Sequence, residues 1–223
     1  MARLIGPNDG KIGFLGSIGV RWMIDGEEAG GDFSLVEHPL PPRALAAPLH
    51  RHTREDEYSY VLEGRMGALL GDEVVEAGPG DLVFKPRDQW HTFWNAGEET
   101  CRILEIIAPA GFEHFFRELD ALGGALNANP EDLAALNERH GLQMQPDSVP
   151  GLLERFELRI GEREEVAPRV LAEDLFKESP SKPQIAASPN RRGSGPALLP
   201  CRGRHSACAN VPLNREESAP FFC

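Results

Sequence analysis

The sequence predicts an all-β dominated fold, a sandwich or barrel of short strands, with a short helical C-terminal extension. Residues 12–108 contain many short runs of β-branched, aromatic and aliphatic residues, and turn signals such as Asp-Gly, Gly-Gly and Gly-Pro-Gly separate them. After Pro109 the spacing of apolar residues changes from that of a strand to that of a helix. We therefore expect residues 1–110 to form a β-barrel and residues 111–160 to form a helical extension packed on it.

The strands are predicted from apolar runs that end at turn residues. The length of these runs is usual for strands of a small barrel. In chain order the predicted strands are 11–16, 20–25, 33–38, 57–64, 65–71, 81–84, 91–95 and 101–107.

Three helices are predicted in the extension. The first has apolar residues at i, i+3, i+4 and i+7, so one face of it should pack on the sheet; these residues are Phe112, Phe115, Phe116, Leu119 and Leu122. The second begins with Asn129 as the N-cap and Pro130 in the first turn, and it ends at Gly141. The third covers residues 148–156.

The composition changes near residue 161. Residues 161–223 hold 8 of the 19 prolines and only three aromatic residues. Such a segment buries too little apolar surface to offset the entropy of ordering it, so we expect a mostly disordered tail with at most a short helix at 170–177. Cys201, His205 and Cys208 have a loosely zinc-like spacing, but the coincidence of composition is the preferred interpretation.

The charge of the chain excludes some classes of function. The formal net charge is −12, which repels phosphate backbones and anionic membranes, so we expect neither nucleic acid nor membrane as a partner. The first residues, MARLIGPNDGK, lack the apolar core of a signal peptide. A cytoplasmic location is therefore expected.

Two short runs carry most of the information about function. The first, PLHRHTREDEYSYVLEG, supplies His50, His52 and Glu57, and the second, GDLVFKPRDQWHTFWN, supplies His91. Three imidazoles and a carboxylate form a ligand set for one transition-metal ion. The alternative for any single histidine is an ordinary strand residue. If all four face the barrel interior, however, a bound divalent cation is the simplest partner that satisfies them.

The parity of the strand residues adds a geometric condition. Alternate residues of a strand share a face, so His50 and His52 project together with Cα atoms roughly 7 Å apart. Glu57 has the opposite parity, so it can join them only if residues 53–56 bend the chain. For Glu55 and Asp56 a solvated loop is the preferred interpretation, with Asp56 as the substitute ligand if the bend differs.

The two runs resemble the two motifs of the cupin superfamily. The first motif is HxH, four residues, Glu, six residues and Gly, here His50, His52, Glu57 and Gly64. The second is Gly, five residues, Pro, then His, three residues and Asn, here Gly80, Pro86, His91 and Asn95. One departure is Asp88, where the motif usually has Gly. Aspartate tolerates a left-handed backbone better than most residues, so the turn should be kept.

The resemblance covers residues 12–110 and is strongest to quercetin-dioxygenase-like, single-domain cupins. It implies a cupin barrel, which is a double-stranded β-helix or jelly roll, and it implies that His50, His52, Glu57 and His91 bind one metal. The divalent ion could be Fe, Mn, Ni, Co, Cu or Zn. Because barrels of this family often pair through edge strands, a homodimer is also expected.

The chemistry implied is that of a mononuclear-metal dioxygenase acting on a small enolisable or hydroxylated organic substrate. Glu57 would detach from the metal and act as the catalytic base. The residues predicted to line a substrate pocket are Ser59, Met66, Phe84 and Phe93, although plain packing in the barrel core is the alternative for each. The alternative function is a non-catalytic cupin that binds a metal or small molecule as a sensor or storage module, because one fold hosts many functions.

Overall fold

Two antiparallel sheets enclose the core of this chain, for which a computed structural model describes residues 2–166. One sheet has six strands in the order β1-β2-β3-β10-β5-β8, and the other has five in the order β11-β4-β9-β6-β7. The strands are β1 (Ile12–Phe14), β2 (Gly19–Ile24), β3 (Ser34–Leu40), β4 (Leu49–His52), β5 (Asp56–Glu63), β6 (Met66–Leu70), β7 (Glu73–Ala77), β8 (Leu82–Lys85), β9 (His91–Asn95), β10 (Cys101–Ala108) and β11 (Leu142–Gln145). The predicted all-β dominated fold with a short helical extension is confirmed.

Four helices follow the last long strand within the described part of the chain. They are α1 (Glu113–Ala121), α2 (Pro130–Arg139), α3 (Val149–Phe156) and α4 (Arg163–Val166). The predicted N-cap of the second helix is confirmed, because the side chain of Asn129 accepts a hydrogen bond from the backbone N–H of Glu131.

The helical extension contacts both sheets. Helix α1 buries Phe115, Phe116 and Leu119 in the same apolar cluster as the residues of the six-stranded sheet. Helix α3 packs on the outer face of the five-stranded sheet, where Phe156 stacks on Trp94 with ring centroids 4.3 Å apart. These contacts hold the extension against the barrel.

Three strands are absent from the predicted apolar runs: β4, which only the parity argument for His50 and His52 assumed, β7 and β11. Strand β7 pairs with β6 at the edge of the five-stranded sheet, and its residues are mostly exposed, so it lacks a strong apolar signal. Strand β11 lies inside the predicted helical extension and pairs with β4, so that Leu142 lies opposite His52 and Met144 opposite His50. It has only four residues, between Gly141 and Pro146, and an alternation of apolar and polar residues over so short a run does not predict a strand.

The register of the six-stranded sheet fixes which polar residues meet on its inner face. Strand β10 alternates buried and half-buried residues, and its buried set includes Ile103 and Glu105. Glu105 lies opposite Ser59 of β5, and Ile103 lies opposite His38 of β3. Glu57 in turn lies opposite Lys85 of β8. The core of the barrel therefore contains several polar side chains among aliphatic ones.

The outer face of β5 and β8 carries an exposed apolar strip. Tyr58 lies opposite Phe84 and Tyr60 lies opposite Leu82, and the rings of Tyr58 and Phe84 stack with centroids 4.9 Å apart. Such patches are often covered by a partner. The homodimer expected from the sequence stays a prediction, and sedimentation would measure the oligomeric state. This strip is one candidate interface for such a dimer.

The predicted start of the disordered tail, residue 161, is too early in the chain. Residues 161–166 are folded: the backbone N–H of Gly161 donates to Ser17 Oγ at 3.0 Å, and Val166 is buried. The rest of the tail, with the short helix expected at 170–177 and the cysteines and histidine near residue 205, lies outside the described residues. Among the helices of residues 2–166, we find no segment with the length and apolarity needed to cross a membrane.

The two motif glycines allow a test of how tightly the barrel is built at its turns. Both have positive φ, +78° at Gly64 and +96° at Gly80, but their surroundings differ. A Cβ at Gly64 would lie 2.7 Å from the carbonyl oxygen of Thr100, whereas a Cβ at Gly80 meets no atom within 4 Å. We expect Gly80→Ala to lower the free energy of unfolding by about 1 kcal/mol through backbone strain alone. Gly64→Ala adds a clash and should cost roughly 2 to 4 kcal/mol.

Urea denaturation of the two variants measures this difference, with Gly80→Ala as the matched control for conformational strain. Equal losses in the two variants would contradict the close backbone approach at Gly64.

Candidate metal centre

The two sheets bring the four predicted ligands together. His50 and His52 alternate along β4, and His50 pairs directly with His91 of β9, so all three histidines come from the five-stranded sheet. Glu57 comes from β5 of the other sheet. One ligand atom from each of the four residues lies within 4.8 Å of the others, and all four are buried.

The bend demanded by strand parity is present. Strand β4 ends at His52 and β5 begins at Asp56, so the chain leaves one sheet and enters the other between these residues. The turn before His91 is also as expected, because Asp88 adopts a left-handed conformation with φ of 64°. Asp88 therefore adopts the left-handed backbone conformation at the position where the motif usually has glycine.

Backbone carbonyls fix the tautomers of two of the histidines. Nδ1 of His50 donates to the carbonyl oxygen of Pro48 at 2.8 Å, and Nδ1 of His91 donates to that of Gln89 at 3.0 Å. A carbonyl oxygen can only accept, so Nδ1 carries a hydrogen in both rings, and in the neutral form of each ring Nε2 has the lone pair. This is the usual way in which a protein orients an imidazole toward a metal.

His52 is held differently. Neither of its ring nitrogens has a hydrogen-bond partner in the described chain, although Nε2 lies 3.4 Å from Glu57 Oε1 and Nδ1 lies 3.9 Å from Glu55 Oε2. Glu55 is only 5% exposed, so the preferred interpretation of this residue as a solvated loop is wrong. Burial raises the pKa of Glu55 to about 7. Asp56, by contrast, pairs at the surface with Arg87.

The residues present fit a divalent transition metal. The Nε2 atoms of His52 and His91 are sealed in the interior without a hydrogen bond, which is costly unless another partner binds them. Burial lowers the pKa of His52 to about 4, and burial together with the neighbouring imidazoles lowers the pKa of His50 well below its ordinary range. Both rings are therefore neutral at pH 7, as ligation requires. Three imidazoles and one carboxylate suit Fe, Mn, Ni, Co, Cu or Zn.

Sequence reasoning missed a buried lysine beside the site. Lys85 Nζ lies 2.9 Å from Glu57 Oε2 and 3.1 Å from Glu105 Oε2, and Ser59 Oγ donates to Glu105 Oε2 at 2.7 Å. Burial alone would raise the pKa of Glu57, but the neighbouring side chains of His52 and Lys85 outweigh it and hold that pKa well below its usual value. Glu57 is therefore ionised and available as a ligand. Burial raises the pKa of Glu105 to about 7.

A cavity of about 330 Å³ adjoins the four-residue cluster. The polar residues of its wall are Ser17, His38, His50, His52, Glu57 and Glu105. The remainder is almost entirely apolar and includes Ile18, Leu45, Phe93, Phe112, Phe116 and Met144. The cavity is large enough for a small aromatic molecule.

The four residues predicted to line the pocket lie in different positions relative to the cavity. Phe93 lies in the cavity wall. Ser59 and Met66 are fully buried and are not part of that wall, Ser59 being the hydrogen-bond donor to Glu105. Phe84 is 46% exposed on the outer face of β8, so its placement in the pocket is wrong. The reason is parity: Phe84 lies opposite Tyr58, and its neighbour Lys85 points inward instead.

The cavity wall also contains a histidine that sequence reasoning did not select. His38 of β3 is 2% exposed, and its Nδ1 donates to the carbonyl oxygen of Gly19 at 2.8 Å. Burial lowers its pKa to about 4, against the opposing effect of the Gly19 hydrogen bond. It lies at the end of the predicted strand 33–38, and the sequence does not show which alternate set of that strand faces the core.

Part of this chain matches a known protein family and resembles known proteins in sequence. Residues 37–107 match the family described as "Cupin domain". Polyketide synthase CurC of Streptomyces cyaneus is 25% identical over 97 residues, which are 44% of this chain and 63% of that protein. An uncharacterized protein of Methanocaldococcus jannaschii is 33% identical over 76 residues, 34% of this chain and 60% of that protein. The chain thus spans less than two thirds of the length of these curated relatives.

A solved structure gives a further match of the same kind. The polyketide cyclase RemF from Streptomyces resistomycificus is 34% identical in sequence to this chain, and the alignment covers 50% of this chain and 81% of that one. The TM-score of the superposition is 0.43.

Loss of single ligands should remove the metal. We expect His50→Ala and His91→Ala each to lower metal content at least about tenfold, because each removes one Nε2 donor from a four-ligand set. The measurement is elemental analysis of protein purified and reloaded with zinc or manganese. His114→Ala, which removes a half-exposed imidazole of α1 outside the cluster, is the matched control and should keep its metal. Full metal occupancy in both ligand variants would rule out this centre.

The buried imidazole of His38 should make stability depend on pH. Its folded pKa of about 4 lies below the ordinary value of 6.5, so between these two pH values the unfolded chain takes up a proton that the folded chain does not. This contribution to stability is therefore complete above pH 6.5 and is lost as the pH falls toward 4.

Over that pH interval we expect the free energy of unfolding of the metal-free wild type to fall by up to about 3 kcal/mol more than that of His38→Phe. Glu55 and Glu105 have raised pKa values, so their contributions to the pH dependence of stability have the opposite sign; these contributions are common to both proteins and cancel in the comparison. Urea denaturation at pH 7 and at pH 4.5 checks it. Parallel losses in the two proteins would show that His38 is not buried as a neutral ring.

Proposed function

We propose that this chain, which belongs to the cupin superfamily, is a metal-dependent enzyme acting on a small enolisable or hydroxylated organic substrate. The observation that carries the proposal is the position of the four candidate ligand atoms, which lie within 4.8 Å of one another beside an apolar cavity whose wall includes His50, His52 and Glu57. A site that only had to hold a metal would not need such a cavity beside it. Concave apolar cavities with a few polar groups are the usual places where proteins bind small molecules.

We further propose a dioxygenase-type oxidation as the reaction. A divalent transition metal, when bound, would polarise a substrate oxygen and, if it is redox-active, support chemistry with dioxygen. His50, His52 and His91 would hold it as neutral ligands, and Glu57 would be the anionic one. The apolar wall around them excludes water from the reacting substrate.

The proton of the substrate needs an acceptor near the cavity. Glu57 is the residue predicted from the sequence, but its contact with Lys85 and its lowered pKa make it a weak base. Glu105 is the alternative, because it shares the cavity wall and its pKa is raised to about 7, near the pH at which a general base works best. Lys85 contacts both carboxylates and would hold them in place.

A redox-neutral reaction is the second candidate. It is favoured by the name of one curated relative, a polyketide synthase of Streptomyces cyaneus, and by the acid and base groups of the site, which could move protons without dioxygen. The third candidate is a sensor or storage protein that binds without turnover. The cytoplasmic location expected from the sequence stays a prediction.

Oxygen uptake distinguishes these functions. We expect the protein, loaded in turn with Fe, Mn, Ni or Cu and mixed anaerobically with phenolic and enolisable ketone substrates, to consume dioxygen when air is admitted. Glu57→Gln should lower the rate roughly 100-fold or more, because the amide is neither an anionic ligand nor a base. Asp56→Asn makes the same chemical change one residue away in a surface ion pair and should leave the rate unchanged.

Each other outcome has a meaning. Absence of oxygen uptake with every metal and substrate would eliminate the dioxygenase, and product formed without dioxygen would support the redox-neutral reaction. Tight binding without any product, together with unchanged behaviour of Glu57→Gln, would favour the non-catalytic role.

A further inference from the structure

A further polar residue lines the cavity and is not a member of the four-residue cluster of candidate ligands. His38 lies on β3, opposite Ile103 of β10, and its ring forms part of the cavity wall. It is not a member of the cluster of ligands. Phe116 of α1 packs against it edge to face, with ring centroids 5.2 Å apart. The ring is therefore fixed in position by both a strand and a helix.

The hydrogen bond to Gly19 decides what the other ring nitrogen can do. Because the carbonyl oxygen of Gly19 accepts from Nδ1, the hydrogen is on Nδ1 and Nε2 is a pure acceptor. No residue in 2–166 donates a hydrogen bond to Nε2. Unlike Nε2 of His52 and of His91, it is not among the sealed polar atoms without a partner, and the ring to which it belongs lines the cavity.

A purely structural role explains this arrangement poorly. An apolar side chain would fill the same place among Phe93, Phe116 and Ile103 without leaving an acceptor that has no donor. A buried polar group of this kind is satisfied when a ligand supplies the missing partner. The donor has to come from whatever occupies the cavity.

We propose that His38 is a specificity-determining residue that accepts a hydrogen bond from the substrate. This inference rests on the proposed function and extends it to a substrate class. The substrate has an oxygen that binds at the metal and, in addition, a hydroxyl or N–H group that donates to His38 Nε2. Between these two points it is apolar, to match the residues of the wall.

The charges around the cavity exclude a second anionic group on the substrate. The cationic side chain in this part of the core, Lys85, is already paired with Glu57 and Glu105. A carboxylate or phosphate at the His38 side would lose its hydration and meet a neutral ring with an acceptor facing it. The substrate class is therefore an uncharged, largely aromatic or alicyclic molecule with at least two oxygen or nitrogen functions.

Matched ligands test the hydrogen bond directly. The probes are dihydroxynaphthalene isomers and the naphthols that lack the second hydroxyl, titrated calorimetrically into the zinc-loaded protein. We expect at least one diol to bind about tenfold more tightly than its naphthol, because the naphthol leaves Nε2 without a donor. In His38→Phe the two ligands should bind with equal affinity.

A nuclear resonance measurement on the wild-type protein makes the test independent of the variant. The ¹⁵N signal of His38 Nε2 should shift when the diol is added and stay in place when the naphthol is added. Phe116→Leu is the matched control: it alters the packing beside His38 without touching a polar atom, so it should weaken both ligands alike and keep their ratio. His38→Gln, which restores an acceptor on a side chain of similar reach, should recover part of the preference.

Failure of the inference can be distinguished from failure of the proposed function. If the diols and naphthols bind the zinc-loaded protein equally, or if the ratio is unchanged in His38→Phe, His38 does not select the substrate while the metal centre stands. If the protein binds none of Zn, Fe, Mn, Ni and Cu, the proposed function fails, and the Nε2 signal of the metal-free protein still reports whether a diol donates to it. A protein for which no probe moves that signal overturns the inference.

Discussion

The ammonium group of Lys85 balances the charge of the core, with Glu57 Oε2 at 2.9 Å and Glu105 Oε2 at 3.1 Å. Without it, two carboxylates would share a dry interior, and at least one would take up a proton. Glu57 could then no longer serve as an anionic ligand. Removing one member of such a buried set typically costs about 3 to 5 kcal/mol. Lys85, which is not a member of the cluster of candidate ligands, thus maintains the ionisation of Glu57.

The division of the cluster between two sheets ties the site to the fold. The five-stranded sheet supplies the three imidazoles and the six-stranded sheet supplies Glu57, so the ligand atoms meet only when the sheets pack. The unfolded chain has no such site, and a bound metal would therefore stabilise the folded state. The same packing explains why nitrogen atoms of His52 and His91 are buried without hydrogen bonds.

The sequence predicted the parts of the site that depend on local rules. Strand parity placed His50 and His52 on one face and required the bend before Glu57, and the tolerance of aspartate for positive φ explained Asp88. The inward positions of Lys85 and His38 depend on which alternate set of each strand faces the core, and this is decided by pairing with β5 and β10. In the run Leu82 to Phe84 both sets are apolar, so hydrophobicity alone could not show that Phe84 faces outward.

The ligands and the cavity wall are encoded in different parts of the chain. Residues 37–107, which match the cupin family, contain the four ligands together with His38, Lys85 and Glu105. Much of the apolar wall comes from beyond this range, from Phe112 and Phe116 and from Met144 of β11, a strand added beside His50. The part of the chain that matches the family therefore contains the candidate ligands, whereas much of the cavity wall belongs to the extension. The barrel motifs therefore do not predict the cavity wall, because one barrel fold hosts many different sites.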